Sequence, residues 1–407
     1  MNVTVTSDSL LAFRPLSVVR EHDDFLVGNA ASGIFLSIPE IGVLALRELE
    51  AGRTVGEAAA VASERAGQDV NVLEFAETLV ETGLVTTVDG MPLLHASPST
   101  QQRWLEGVPP ALVRPFFSVP AWTVYGALSV LTAATFIARP ELWPSFEDVF
   151  FYPNPAVCLV SVLVAEVVLA ALHELSHWLA ARAAEVGVVF RVSRRMFFPV
   201  FETDLSQLWS VPRRRRFSPL LAGMAFNTVV LALTLGLRLA WQEAWIDVPP
   251  FVARFLAMLV LVNAVMLGFQ LLVFLRTDLY AVLVTVLRCR NLYRVNRLFL
   301  KSKLVGLTPH EQVELEDAHP RDRQVAPWFA LLYLAGFAWS IYFFLAYFLP
   351  GTAIFAMWVL LNLGHASLST SAFWQALAIA VVLAAQALAP LAIYVRERVQ
   401  RARVAAA

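Results

Sequence analysis

Hydrophobic and polar positions change their rhythm twice along this chain. Over residues 17–38 they alternate as strands do, in segments 17–21, 25–28 and 33–38, separated by polar turns at His22-Asp23-Asp24 and at residues 29–33. The period then becomes helical. A first helix is predicted from Pro39 to about Leu49, ending at Ala51-Gly52. A second opens at Thr54, with Glu57 three residues on in the capping-box arrangement. A third puts Val72, Phe75 and Leu79 on one face and ends at Gly83, and a short strand over 84–88 closes the unit. Three strands, three helices and a strand predict a small α+β winged-helix-like domain over residues 1–90. A Pro- and Ser-containing linker over 91–115 follows it.

From residue 116 the alternation gives way to long apolar runs. Six of them, about 116–138, 155–181, 218–240, 250–275, 327–349 and 371–395, reach the roughly 20 residues needed to cross a bilayer. The predicted fold class is therefore a multi-spanning α-helical membrane protein of about six spans with the small winged-helix-like domain at its N-terminus. Residues 116–300 form the core of the membrane part, and 301–407 a C-terminal region with two spans. Composition agrees. The 407 residues are 58% hydrophobic and 15% charged, whereas soluble domains lie nearer half apolar and a quarter charged.

Charge adds an orientation. Residues 1–90 hold 14 acidic and 5 basic side chains, which leaves 18 acidic and 26 basic for the rest. An acidic domain repels phosphate, so no nucleic-acid partner is expected. Basic residues cluster between the second and third runs (Arg182, Arg191, Arg194, Arg195 and 213–216), after the fourth (Arg288, Arg290, Arg294, Arg297, Lys301, Lys303) and in the tail (Arg396, Arg398, Arg401, Arg403). The intervening loops carry Glu141, Glu147, Asp148, Glu243 and Asp247. The excess of positive charge predicts that the N-terminal domain, both basic loops and the C-terminus face the cytoplasm. Residues 351–364 are apolar but short; a span there would send the basic tail outside, so an interfacial or re-entrant piece is expected. Residues 1–16 lack a signal-peptide pattern, and Cys158 and Cys289 form no metal or redox motif.

The second apolar run carries His173-Glu174-Leu175-Ser176-His177. Histidines four apart share one helix face and can reach one metal, and the intervening Glu174 stands where a carboxylate can take a proton from water. Ionisable groups inside a membrane segment are costly and rarely idle. A catalytic zinc site has three protein ligands and one open position. Asp278, directly after the fourth run and at the same expected depth as His173 and His177, is the candidate third ligand; the plainer alternative is a solvated carboxylate paired with Arg276. Glu166, seven residues before His173, either lines a water path or pairs with a polar group such as Asn263.

These stretches resemble the site-2 protease family of intramembrane metalloproteases, most closely its bacterial peptide zinc-metalloprotease branch. The likeness covers about residues 155–300, through His173 to His177, the stretch 199–204 with Trp209 and 213–216, Ala222-Gly223 with Asn227, and residues 275–280. The family usually has Gly-Pro where this chain has Gly223-Met224, Asp-Gly-Tyr where it has Asp278-Leu279-Tyr280, and Asn-Pro where it has Leu272-Val273. The resemblance implies Zn2+ held by His173, His177 and Asp278, Glu174 as the catalytic residue, and Asn227 in substrate binding. The alternative for Asn227 is an amide bonding between helices.

The acidic domain, over roughly 13–88, is similar to the small winged-helix peptide chaperones of pyrroloquinoline quinone biosynthesis (PqqD-like). That likeness lies in Arg14-Pro15, 26–29, 54–57 and 73–84. It implies capture of a leader peptide by strand addition, for which Gly33, Ile34, Phe35, Leu36, Ser37 and Ile38 are the candidate contacts. The expected function is a zinc metalloendopeptidase of a bacterial inner membrane that cleaves a ribosomally made precursor peptide. Its expected partners are that precursor, the lipid bilayer and other peptide-maturation or export proteins. Two other readings stand beside it: a regulatory protease cutting transmembrane signalling proteins, and a catalytically inactive export or scaffold partner.

Overall fold

The rhythm of residues 17–88 is realised element by element. A computed structural model describes residues 4–21, 24–29, 32–93, 107–195 and 198–406. It forms β1 (Leu11–Phe13), β2 (Ser17–Glu21), β3 (Asp24–Asn29), β4 (Ile34–Pro39), α1 (Glu40–Glu50), α2 (Val55–Ala66), α3 (Val72–Glu81), β5 (Val85–Val88) and β6 (Met91–Pro92). Thr54 and Glu57 close the expected capping box, each accepting the other's backbone N–H at 3.2 and 3.0 Å. Two antiparallel sheets result, in the orders β2-β3-β4 and β1-β5-β6. Val27, Ile38, Leu46, Leu49, Ala58, Leu79 and Val85 bury together beneath them. Strands β1 and β6 escape sequence analysis because two or three residues carry no measurable period.

The candidate peptide-binding strand differs from expectation at its start. Gly33 lies before β4, with φ at +69°, a left-handed turn conformation that an extended strand excludes. Strand β4 pairs with β3 alone, so among the described residues it is an edge of its sheet. The turn residues 22–23 and 30–31, and linker residues 94–106, lie outside the described residues.

This domain belongs to one of two units, comprising residues up to Arg114 together with Ala180–Phe190 and Thr203–Pro219. That unit also contains α4 (Pro110–Val113). Within it Arg216 is almost fully buried, stacks on Trp209 and pairs with Glu21 of β2 at 2.5 Å. Asp204 caps the following turn, accepting from Ser206 N–H and Oγ–H at 3.0 and 2.5 Å.

Helices dominate the rest of the chain: α5 (Val119–Ala138), α6 (Pro155–Ala183), α7 (Arg213–Gln242), α8 (Pro250–Gln270), α9 (Asp278–Leu287), α10 (Leu292–Leu304), α11 (Pro309–Asp317), α12 (Pro320–Phe343), α13 (Leu349–His365) and α14 (Ser371–Ala406). A hairpin of β7 (Val189–Arg195) and β8 (Phe198–Asp204) lies in sequence between α6 and α7, where only a basic loop is expected.

Among the described residues five helical runs are long and apolar enough to cross a membrane: α5, α6, α7, α8 and the 46-residue run Pro320–His365. Six spans are expected, and the difference lies at the C-terminal end. Residues 351–364 fall in α13, which continues α12 through a π-helical turn at Phe344–Phe348, so they form one helical run with the fifth apolar segment. That wider turn accommodates Pro350, which has no N–H to donate. The sixth segment falls in α14, whose described apolar stretch, Ser371–Ala385, is shorter than a span.

The packing that positions the site is made by α6, α7 and α8. Cys158 and Leu169 of α6, Phe226 of α7, and Met258 and Val262 of α8 form one cluster. Leu231, Leu235 and Val260 with Leu142 form another. Phe355 and Val359 of α13 and Ile379 of α14 pack on Ala156 and Leu159 at the start of α6. Asp322, only 1% exposed in the first turn of α12, accepts the backbone N–H groups of Arg290 and Asn291, both at 3.0 Å. This fixes the corner between α9 and α10.

Candidate metal centre

Helix α6 begins where the sequence provides a start: Pro155 occupies its first position and Asn154 Oδ1 accepts the Ala156 N–H at 2.9 Å. Near its other end His173 and His177, one turn apart, are 6% and 1% exposed. Their Nε2 atoms stand 3.1 Å from each other. Asp278 Oδ2, from a segment more than 100 residues away, lies 3.0 Å from His173 Nε2 and 3.1 Å from His177 Nε2. Three groups with lone pairs turned to one point repel each other unless a cation or shared protons lie between them. Glu174 completes the cluster, with one ligand atom each from His173, Glu174 and His177 all within 4.8 Å of one another. This buried group could hold a metal ion.

Asp278 is aimed there by a helix break that uses neither proline nor glycine. Helix α8 stops at Gln270, the chain makes a tight turn over Val273–Leu275, and Arg276 adopts a left-handed conformation at φ +58°. Thr277 is then extended, and α9 starts on Asp278 itself. Gln270 holds both sides of the break. Its carbonyl accepts from Thr277 Oγ1–H at 2.7 Å and its Oε1 accepts the Asp278 N–H at 3.1 Å. Arg276 does not pair with Asp278; its guanidinium lies over the Tyr293 ring at 5.3 Å. Burial pushes the Asp278 carboxyl up; the two facing imidazoles, when they carry protons on the nitrogens turned to it, more than offset this and hold it well below the usual carboxylate range.

Helix α7 supplies the wall. A Cβ built on Gly223 would meet His173 Nε2 at 2.3 Å, so only glycine lets α7 come this close to the imidazole. One turn on, Asn227 Oδ1 is 2.5 Å from His173 Nδ1, and its Nδ2 donates to Asn263 Oδ1 of α8 at 3.3 Å. The structure thus brings together His173, Glu174, His177, Asp278 and Asn227. The candidate peptide-binding residues belong to the other unit, in and just before β4. Asn263 is not paired with Glu166; its amide is taken by Asn227 and the Leu259 carbonyl.

Sequence reasoning passed over Gln270 and the role of Asn263. The available signal was two amide side chains seven residues apart in a 21-residue apolar helix, where buried polar groups are expensive. Comparison with protein-family models, curated proteins and solved structures returns no match.

Proposed function

We propose that this chain is a membrane-embedded zinc metalloprotease, of the kind its motifs resemble, which cleaves a ribosomally made precursor peptide. One observation carries the reading: Asp278 Oδ2 stands 3.0 and 3.1 Å from the Nε2 atoms of the two histidines of a His-Glu-x-x-His helix. Ligands of a tetrahedral zinc with bonds of roughly 2.0–2.1 Å lie about 3.3 Å apart, so a shift of a few tenths of an ångström suffices. Two imidazoles and a carboxylate are a donor set suited to zinc, with a fourth position left for water or substrate.

His173, His177 and Asp278 would hold the ion, which supplies Lewis acidity toward water and the scissile carbonyl. Glu174 takes a proton from the water that attacks the peptide carbon and delivers it to the amide nitrogen as the C–N bond breaks. His173 and His177 stand roughly 27 and 33 Å along α6 from Pro155, about one apolar bilayer thickness. That depth, with the basic segments after α6 and α8 and the arginines in the last turns of α14, supports a site at the cytoplasmic face of an inner membrane and cytoplasmic termini. The acidic N-terminal domain is read as the leader-binding module, with the unpaired side of β4 as the edge to which a leader adds as a strand.

The test uses the detergent-solubilised full chain and a candidate precursor. One zinc per chain and precursor cleavage are expected. Glu174→Gln retains the zinc and loses at least ~10²-fold in rate, because proton transfer and not coordination is removed. Near-normal turnover by this variant excludes the mechanism, and absence of metal from the unsubstituted chain excludes the metalloprotease.

A further inference from the structure

We infer that Asn263, which touches no ligand atom, is a positioning residue that sets the tautomer of His173 through Asn227; the inference rests on the metalloprotease reading above. Asn263 is fully buried in α8, and a buried amide is costly unless each end is bonded. Its Nδ2 donates to the Leu259 carbonyl at 2.9 Å. A carbonyl can only accept, so this bond fixes which way round the amide lies and leaves Oδ1 facing Asn227.

Asn227 must answer with a donor, and its Nδ2 does so at 3.3 Å. Its own Oδ1 is thereby turned to His173 Nδ1 at 2.5 Å. An amide oxygen only accepts, so Nδ1 carries the imidazole proton and Nε2 keeps its lone pair. That Nε2 is the atom 3.1 Å from His177 Nε2 and 3.0 Å from Asp278 Oδ2. The direction of every bond, from the Leu259 carbonyl to the ligand nitrogen, follows from one backbone acceptor. Without Asn263, the Asn227 amide loses its strong acceptor. The sulfur of Met266, 3.6 Å from Asn227 Nδ2, is a weak substitute. The amide can then turn over and offer N–H to Nδ1, which puts the imidazole proton on Nε2 and blocks ligation. Partners that fix a ligand histidine's tautomer in this way influence metal affinity directly.

The test titrates cobalt(II) into the metal-free full chain in detergent, reading affinity by chelator competition and ligand geometry by the visible absorption bands. Asn263→Leu is expected to weaken binding about 10- to 100-fold and to alter the bands. Asn263→Asp, whose protonated carboxyl donates to Leu259 O and accepts from Asn227, is expected to retain both. Asn227→Asp supplies an oxygen to His173 Nδ1–H whatever stands at 263, so N227D and N227D/N263L are expected to bind cobalt equally well. Unchanged affinity and spectrum in N263L overturn the inference. So does a double variant that falls as far below N227D as N263L falls below the unsubstituted chain, because Asn263 would then act by packing alone. If the unsubstituted chain binds no cobalt, the metalloprotease reading fails and the positioning role with it.

Discussion

Gly223→Ala adds a single methyl group at the point where α7 meets the metal centre. The new Cβ would lie 2.3 Å from His173 Nε2 and 2.5 Å from Cδ2 and Cε1, whereas ordinary contact begins near 3.4 Å. About 1 Å has to open. If the helices part, the overpacked contact costs roughly 1–3 kcal/mol. If the imidazole swings away instead, one of three ligands leaves its place, and a misplacement of that size can cost on the order of 10²-fold in rate. On an unobstructed helix the same substitution gains about 1 kcal/mol. Gly236 provides that reference within α7, since nothing lies within 4 Å of its added Cβ.

Zinc affinity and thermal unfolding of the solubilised chain measure both effects. Gly223→Ala is expected to weaken zinc binding tenfold or more and to show none of the stabilisation of a helical alanine. Gly236→Ala is expected to bind zinc normally and to unfold at the same or a higher temperature. Full zinc affinity in Gly223→Ala refutes the close approach of α7 to His173.

Two aspartates separate coordination from structure. Asp278→Ala is expected to lower zinc affinity by at least tenfold, while Asp204→Ala leaves zinc bound and weakens the turn it caps at Ser206; the reverse result in metal analysis reassigns the third ligand. Burial, reinforced by Asp322, pushes the Cys289 thiol up to about 12. Its reactive thiolate is then on the order of one in ten thousand at pH 8, so alkylation is expected only after unfolding, and fast labelling of the native chain contradicts the burial. A synthetic leader segment in excess is expected to slow cleavage of a full precursor and to spare a short peptide spanning only the cut site. Equal inhibition of both places leader binding at the metal centre and not at β4.

The sequence determined what depends on near neighbours. His173 and His177 share a face because any α-helix brings residues four apart together. The capping box at Thr54 needs only four residues, and the long apolar runs announce themselves by length. Strands β2, β3 and β4 showed in alternation because the pleat has a period of two. What remained hidden depends on residues far apart or on backbone states that no propensity announces. Asp278 was legible as a ligand from its expected depth, but not the way it reaches the histidines across more than 100 residues, through a left-handed Arg276 that local preference argues against. The expected proline and glycine are missing there, and Gln270 takes over through two hydrogen bonds formed only once α8 and α9 are placed. Gly223 stands in a stretch the resemblance marked, but the need for a glycine there shows only when α6 is set against it. The sequence pointed Asn227 to substrate and Asn263 to Glu166; their order in a line from the Leu259 carbonyl to His173 exists only after three helices pack. Composition and local period chose the elements, and the directional bonds between elements, which a linear pattern does not encode, chose the site.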